Sequence, residues 1–177
     1  MIALRRLAAS TLLLASACAP RAAPEPPRPA PQPRAVPAPV PAPPPRRISA
    51  DWLQAPIGPG DWSYRAGPTG SVALWGAAGE GARLALACDR ASRTVRVTRA
   101  GATAGTMEIR TTNGSRSLTA TADRELPGAT ASLPAADEFL NRLVFSRGRF
   151  LVAATGAEPL IVPTWAEPFR VVEDCRA

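Results

Sequence analysis

The sequence predicts an α+β domain over residues 48–177, built mainly from an antiparallel β sheet or a small barrel with two helices, one of them C-terminal. Three observations support this fold class. Short apolar or alternating segments recur through this part of the chain, as in strands that bury one face. The dipeptide Asn113-Gly114 is typical of a tight β-hairpin turn. Two later segments carry apolar residues at helical spacing.

Eight segments have the length and pattern of strands. They are residues 62–65, 71–76, 82–89, 93–99, 106–112, 115–122, 149–154 and 160–163. In the fourth segment, Val95 and Val97 fall on one face and Arg96 on the other. We expect roughly six to nine antiparallel strands in a single globular domain, because about 130 residues suffice for one hydrophobic core.

Two segments have helical patterns. Residues 134–145 carry an apolar stripe, acidic residues near the start and Gly148 just beyond the end. In residues 164–175 one stripe holds Trp165, Phe169, Val172 and Cys175. Pro168 fits the first turn of this second helix, where a missing backbone N–H is tolerated.

Residues 1–17 have the pattern of a secretory signal peptide. Arg5 and Arg6 precede an apolar run of 11 residues, Leu7 to Ala17. A membrane-spanning helix needs about 20 apolar residues, so this run fits the core of a signal peptide better than a span.

The segment Leu14-Ala15-Ser16-Ala17-Cys18 resembles the lipoprotein box of bacteria, with Ala15 where that box prefers Leu. The resemblance implies that Cys18 is lipidated, palmitate included, and becomes the new N-terminus. Ala19 replaces the acidic residue of inner-membrane retention, which implies the outer membrane, with the domain facing the periplasm. Ordinary cleavage after Ala17 is the alternative, and it would give a soluble periplasmic or secreted protein.

Residues 18–47 are predicted to be the anchoring cysteine followed by a Pro-rich linker. Residues 19–47 contain 13 of the 21 prolines and no aromatic residue, so they cannot build a core. Such a segment favours polyproline II at about 3.1 Å per residue, which gives a spacer on the order of 90 Å long. Its arginines either contact anionic polymers or simply keep the spacer soluble.

Composition excludes several chemistries. The chain has no His, and all 21 of its basic residues are Arg. Histidine-based triads, His metal ligands and lysine Schiff bases are therefore absent. Residues 48–177 hold 14 Arg against 13 acidic residues, a net charge of +1 of the +7 of the whole chain. This balance argues against nucleic-acid binding, and we expect no catalytic residue, no cofactor and no metal.

The three cysteines fall into two groups, one near the N-terminus and two in the folded domain. If lipid occupies Cys18, Cys88 and Cys175 remain, and an oxidising compartment favours a disulfide between them. A reactive thiol is the alternative, although no His or Lys is present to lower its pKa.

One cluster of arginines is a candidate site for an anion or a partner. Arg142, Arg147 and Arg149 surround Ser146 and could grip a carboxylate or phosphate. The alternative is a solvated turn with ion pairs to Glu138 or Glu167.

The four tryptophans, at positions 52, 62, 75 and 165, could stack on sugar rings if they are exposed. In a domain with few aromatic residues, burial in the core is the favoured interpretation.

The tail from Pro159 to Arg176 (PLIVPTWAEPFRVVEDCR), with residues 145–150 (FSRGRF) before it, resembles a set of uncharacterised exported proteins of GC-rich proteobacteria. The likeness covers roughly residues 61–176. That set has no assigned activity, so the resemblance implies no site residue.

The sequence therefore predicts a non-enzymatic envelope lipoprotein that presents a periplasmic interaction domain on a Pro-rich spacer. The membrane is one partner, through the lipid, and an envelope protein or peptidoglycan is the other. The alternatives are a cell-wall glycan-binding module and, with less support, a hydrolase based on carboxylates or Ser.

Overall fold

Nine strands, all paired antiparallel, form the body of the structure, a computed structural model that describes residues 51–177. The predicted signal peptide, Cys18 and the whole of the predicted spacer precede these residues and lie outside the described part. The strands are β1 (Asp61–Ala66), β2 (Gly70–Gly76), β3 (Leu84–Asp89), β4 (Thr94–Ala100), β5 (Gly105–Thr111), β6 (Gly114–Asp123), β7 (Gly128–Pro134), β8 (Arg149–Ala154) and β9 (Leu160–Pro163). The helices are α1 (Glu138–Val144) and α2 (Ala166–Arg176).

The strands form one sheet in the order β1-β2-β3-β4-β7-β6-β5-β8-β9, curved into a half-barrel. β6 joins its two halves, because residues 114–120 pair with β5 and residues 121–123 pair with β7. α2 packs against β2, β3 and β4, and α1 packs against β5. Neither helix within residues 51–177 has the length and hydropathy of a membrane span.

One hydrophobic core joins the strands to both helices. Its largest fully buried side chains are Trp75, Leu84, Leu86, Met107, Ile109, Leu133, Phe139, Leu140, Leu143, Phe150 and Leu160. A second, smaller cluster of Trp52, Leu151 and Ile161 joins the segment before β1 to β8 and β9.

The disulfide between Cys88 and Cys175 is present, as predicted. It joins β3 to α2 across 87 residues of sequence, with a Cα–Cα distance of 5.3 Å, inside the usual range for a disulfide. Both cysteines are buried. The bond therefore holds α2 against the sheet.

The structure confirms the mainly antiparallel architecture with two helices, one of them C-terminal. Each of the eight predicted strands has a counterpart in the structure, with ends within about two residues, the usual uncertainty of such boundaries. A ninth, β7, was not predicted, and it makes the sheet large. The predicted start of α1 at Pro134 is wrong, because Pro134 ends β7 and Asp137 caps the helix through the N–H of Phe139.

Candidate functional site

Three aromatic side chains lie in the segments where α1 ends and α2 begins, and we call Phe145, Trp165 and Phe169 the aromatic surface. Phe145 follows the last residue of α1 and is 61% exposed, and Trp165 precedes the first residue of α2 and is 48% exposed. The Phe145 and Phe169 rings lie 5.6 Å apart between centroids. Trp165 is the N-cap residue of α2 and has extended backbone, and Phe169 lies within the helix.

The ring of Trp165 packs against a side chain of the hydrophobic core. Its ring meets the buried Trp75 edge to face, at 5.9 Å between centroids and an interplanar angle of 80°. The row of rings continues from Trp75 to Trp62 at 5.5 Å and from Trp62 to Phe150 at 6.5 Å. The exposed ring therefore stands on a rigid base, which reduces the entropy lost when a ligand binds to it.

Unpaired polar atoms accompany Trp165. The Nε1 of Trp75, the Oγ1 of Thr164 and the Oε2 of Glu167 are inaccessible to solvent and have no hydrogen-bond partner among residues 51–177. Thr164 and Glu167 have the spacing of a capping box, yet Trp165 occupies the cap position and makes no side-chain cap bond. The polar groups at the start of α2 thus have fewer hydrogen-bond partners than those at the start of α1.

The loop from Ser146 to Gly148 holds Phe145 in place. Ser146 donates its hydroxyl to the carbonyl of Arg149 at 2.5 Å and accepts the N–H of Thr112 at 3.0 Å. The carbonyl of Gly148 accepts the N–H of Thr164, at 3.3 Å, which ties this loop to the residues before α2. The Ser146 hydroxyl, buried and doubly bonded, has a structural role.

No described contact joins the three candidate arginines to a common partner. Arg149 donates to the carbonyl of Ala55 at 2.6 Å, in the segment before β1. Arg142 extends towards Gly114 in the β5–β6 turn, and Arg147 is exposed two residues after Phe145. Neither Arg142 nor Arg147 has a carboxylate partner among the described residues, so the ion pairs to Glu138 or Glu167 are not formed there. Binding of one anion by all three arginines together remains a prediction.

Three of the four tryptophans lie in the interior, as the sequence favoured. Trp52, Trp62 and Trp75 are buried, whereas Trp165 is half-exposed. The predicted stripe of α2 holds for Val172 and Cys175, which face the sheet, but Trp165 precedes the helix and turns outwards.

Two acidic residues, Asp137 and Glu173, make ion pairs at the helices. Asp137 caps α1 and forms an ion pair with Arg116 at 2.6 Å. Desolvation raises the pKa of Asp137, but the hydrogen bond from the N–H of Phe139 and the pairing with Arg116 outweigh it and keep the pKa below its ordinary value. Glu173 pairs with Arg176 at 3.3 Å, within α2.

Tyr64 and Asp174 join β1 to α2. The Tyr64 hydroxyl donates to Oδ2 of Asp174 at 2.5 Å, and the guanidinium of Arg170 lies 4.6 Å from the centre of the Tyr64 ring. The hydrogen bond to Asp174 raises the pKa of Tyr64. Desolvation raises the pKa of Asp174, but hydrogen bonding and the nearby arginines outweigh it and lower that pKa overall. Both shifts favour the resting protonation states, so this pair acts as a link between elements and is not poised for proton transfer.

A shallow groove of about 350 Å³ lies beside β1, where the loop between β2 and β3 forms one wall. It is lined by Asp61, Trp62, Ser63, Arg65 and Leu74, together with residues 76–79, 81 and 82. Its glycines belong to a connection between two strands, so the groove lacks the helix N-terminus of a phosphate-binding loop.

Comparisons of the chain with protein-family models, with curated proteins and with solved structures found no match. Any function must therefore be argued from the residues themselves.

Proposed function

We propose that this chain is a non-enzymatic envelope lipoprotein that carries an interaction domain on a Pro-rich spacer. In this proposal, lipid on Cys18 holds the chain to the outer membrane and the domain faces the periplasm. The resemblance to uncharacterised exported proteins agrees with this location, and it assigns no activity.

The observation that carries this proposal is the disulfide. Cys88 and Cys175 are paired and buried, so two of the three cysteines are already used. Structural disulfides persist in oxidising compartments outside the cytosol. The presence of this disulfide therefore supports export of the chain. The single remaining cysteine, Cys18, stands at the position where a lipoprotein box requires one.

Intact-mass measurement of the chain produced from its own leader tests the anchor. We expect a mature chain that begins at Cys18 with the mass of attached acyl groups and sediments with membranes. The variant Cys18→Ala is expected to lose the acyl mass and leave the membrane fraction. The matched control, in which Cys88 and Cys175 are both Ala, should keep the acyl mass. A mature wild-type chain that starts after Cys18, or carries no acyl mass, would contradict the anchor.

A second candidate function, binding of cell-wall glycan, is favoured by the aromatic surface. Peptidoglycan combines sugar rings, which stack on exposed aromatic side chains, with carboxylates, which pair with guanidinium groups. Trp165 supplies a supported, half-exposed ring, and Phe145 extends the surface towards the unpaired Arg147. The charge of that arginine complements an anionic glycan better than a neutral one.

Co-sedimentation with purified sacculi tests this second candidate. We expect Trp165→Ala to weaken binding on the order of tenfold, because a central aromatic contact is lost. Leu53→Ala is the matched control, since Leu53 is 44% exposed and lies outside the aromatic surface. Equal sedimentation of both variants and the wild type, or no sedimentation of the wild type, would exclude the glycan function and leave the anchor untouched.

A further inference from the structure

β1 is an edge strand with unpaired backbone groups along one side. In an antiparallel pair, alternate residues turn their N–H and C=O towards the neighbouring strand. The N–H of Gly67 donates to the carbonyl of Gly70 at 2.7 Å, which fixes the phase of the β1–β2 ladder. Trp62, Tyr64 and Ala66 therefore turn their backbone groups away from β2, and these groups have no partner within residues 51–177.

The other edge of the sheet is already covered. The carbonyl of Ile161 in β9 accepts the N–H of Gly58 at 2.9 Å. The carbonyl of Pro163 accepts the indole N–H of Trp62, also at 2.9 Å. Of the two sheet edges in the described part of the chain, β1 is the one that still offers a template for another strand.

The outward side chains of β1 carry a symmetric charge pattern. Asp61, Ser63 and Arg65 are exposed and alternate along one face of the strand, with the acid and the base each two residues from the serine. None of these three side chains makes a hydrogen bond or ion pair within residues 51–177. A two-fold rotation about Ser63 places Asp61 at the position of Arg65, and Arg65 at the position of Asp61.

We propose that β1 pairs antiparallel with β1 of a second copy of this chain, with the two-fold axis at Ser63. In this register Trp62 exchanges backbone hydrogen bonds with Tyr64 of the second copy, because both turn their backbone groups to the free edge. Asp61 lies opposite Arg65 of the second copy, and the symmetric pair repeats the contact. The two half-barrels then share one continuous sheet.

Charge complementarity selects this register and this occupant. A shift by two residues in either direction keeps the backbone phase but leaves one of the two charges opposite Ser63. The register centred on Ser63 matches both charges at once, and a second copy supplies that pattern in the required direction.

Cysteine trapping in the full chain, expressed from its own leader under oxidising conditions, tests the proposal. At the two-fold axis, Ser63 faces Ser63 across a non-hydrogen-bonded pair with Cα atoms about 4.5 Å apart, a distance that a disulfide can span. We expect Ser63→Cys to give a disulfide-linked dimer of twice the chain mass on a non-reducing gel. Ser117→Cys, exposed on β6 in the interior of the sheet, is the matched control and should stay monomeric.

Charge reversal in the Ser63→Cys background tests the register. Arg65→Asp places two acids opposite each other and should reduce the trapped dimer on the order of tenfold. Adding Asp61→Arg restores opposite charges and should recover the dimer. Melting curves that match Ser63→Cys would show that the variants remain folded.

Three results would overturn the proposal. The first is trapping of Ser63→Cys no greater than that of Ser117→Cys. The second is failure of the double reversal to recover what Arg65→Asp loses. The third is a crosslinked product with the mass of a different protein, which would show that another occupant takes this edge.

Discussion

Replacement of Cys88 and Cys175 together by Ala should lower the free energy of unfolding by about 2–5 kcal/mol, the usual effect of removing a native disulfide from a small domain. The bond closes a long loop, because its two cysteines are 87 positions apart in the sequence, and it fixes α2 to β3. Urea denaturation followed by circular dichroism measures the loss.

The contacts that remain decide how the variant unfolds. Val171 and Val172 are fully buried, and Arg176 donates to the carbonyl of Ala135 at 2.9 Å. We therefore expect α2 to stay docked at low temperature and to detach at a lower denaturant concentration. Cys18→Ala is the control and should leave the stability of the domain unchanged. An unchanged unfolding midpoint in the double variant would show that the bond contributes nothing to the fold.

Trp62→Ala should destabilise the domain by about 3–5 kcal/mol, because it removes a large buried side chain and leaves a cavity. The indole contacts the rings of Trp75 and Phe150, and its N–H bonds to the carbonyl of Pro163. It therefore joins the first strand of the sheet to the last.

The variant Trp62→Phe separates the contribution of ring packing from that of the hydrogen bond to Pro163. A phenyl ring keeps much of the packing but leaves the buried carbonyl of Pro163 without its donor, at a cost of about 1–3 kcal/mol. Trp165→Ala is the comparison, since Trp165 is half-exposed and should cost less than Trp62→Ala. Equal stabilities of Trp62→Phe and the wild type would mean that the hydrogen bond from the Trp62 indole to Pro163 does not contribute to the stability of the domain.

Much of the fold follows from local pattern. Val95 and Val97 alternate with polar residues in β4, and this signal survives because one face of the strand is buried. β7 lacks such a signal. Its buried Ala129 and Ala131 are small, and Thr130 on its other face is also buried, bonded to Thr98 at 2.6 Å.

The candidate site is less accessible to sequence reasoning. The helical stripe predicts Trp165 in the core, and it fails there because α2 begins one residue later. Which edge of the sheet stays open depends on contacts between residues far apart in sequence, such as Trp62 and Pro163. The charge pattern of Asp61, Ser63 and Arg65 is visible in the sequence, but its meaning depends on β1 being at an edge.

The position of α2 governs the order in which the domain can be completed. β2, β3 and β4 are synthesised well before α2, yet α2 covers their buried face and carries the thiol that Cys88 needs. When the chain emerges from a ribosome or a translocation channel, these strands come first. Their apolar face then stays uncovered until α2 has emerged. The bond between Cys88 and Cys175 can therefore form only after nearly all of the chain has been synthesised, because Cys175 is the third residue from the end of the given sequence.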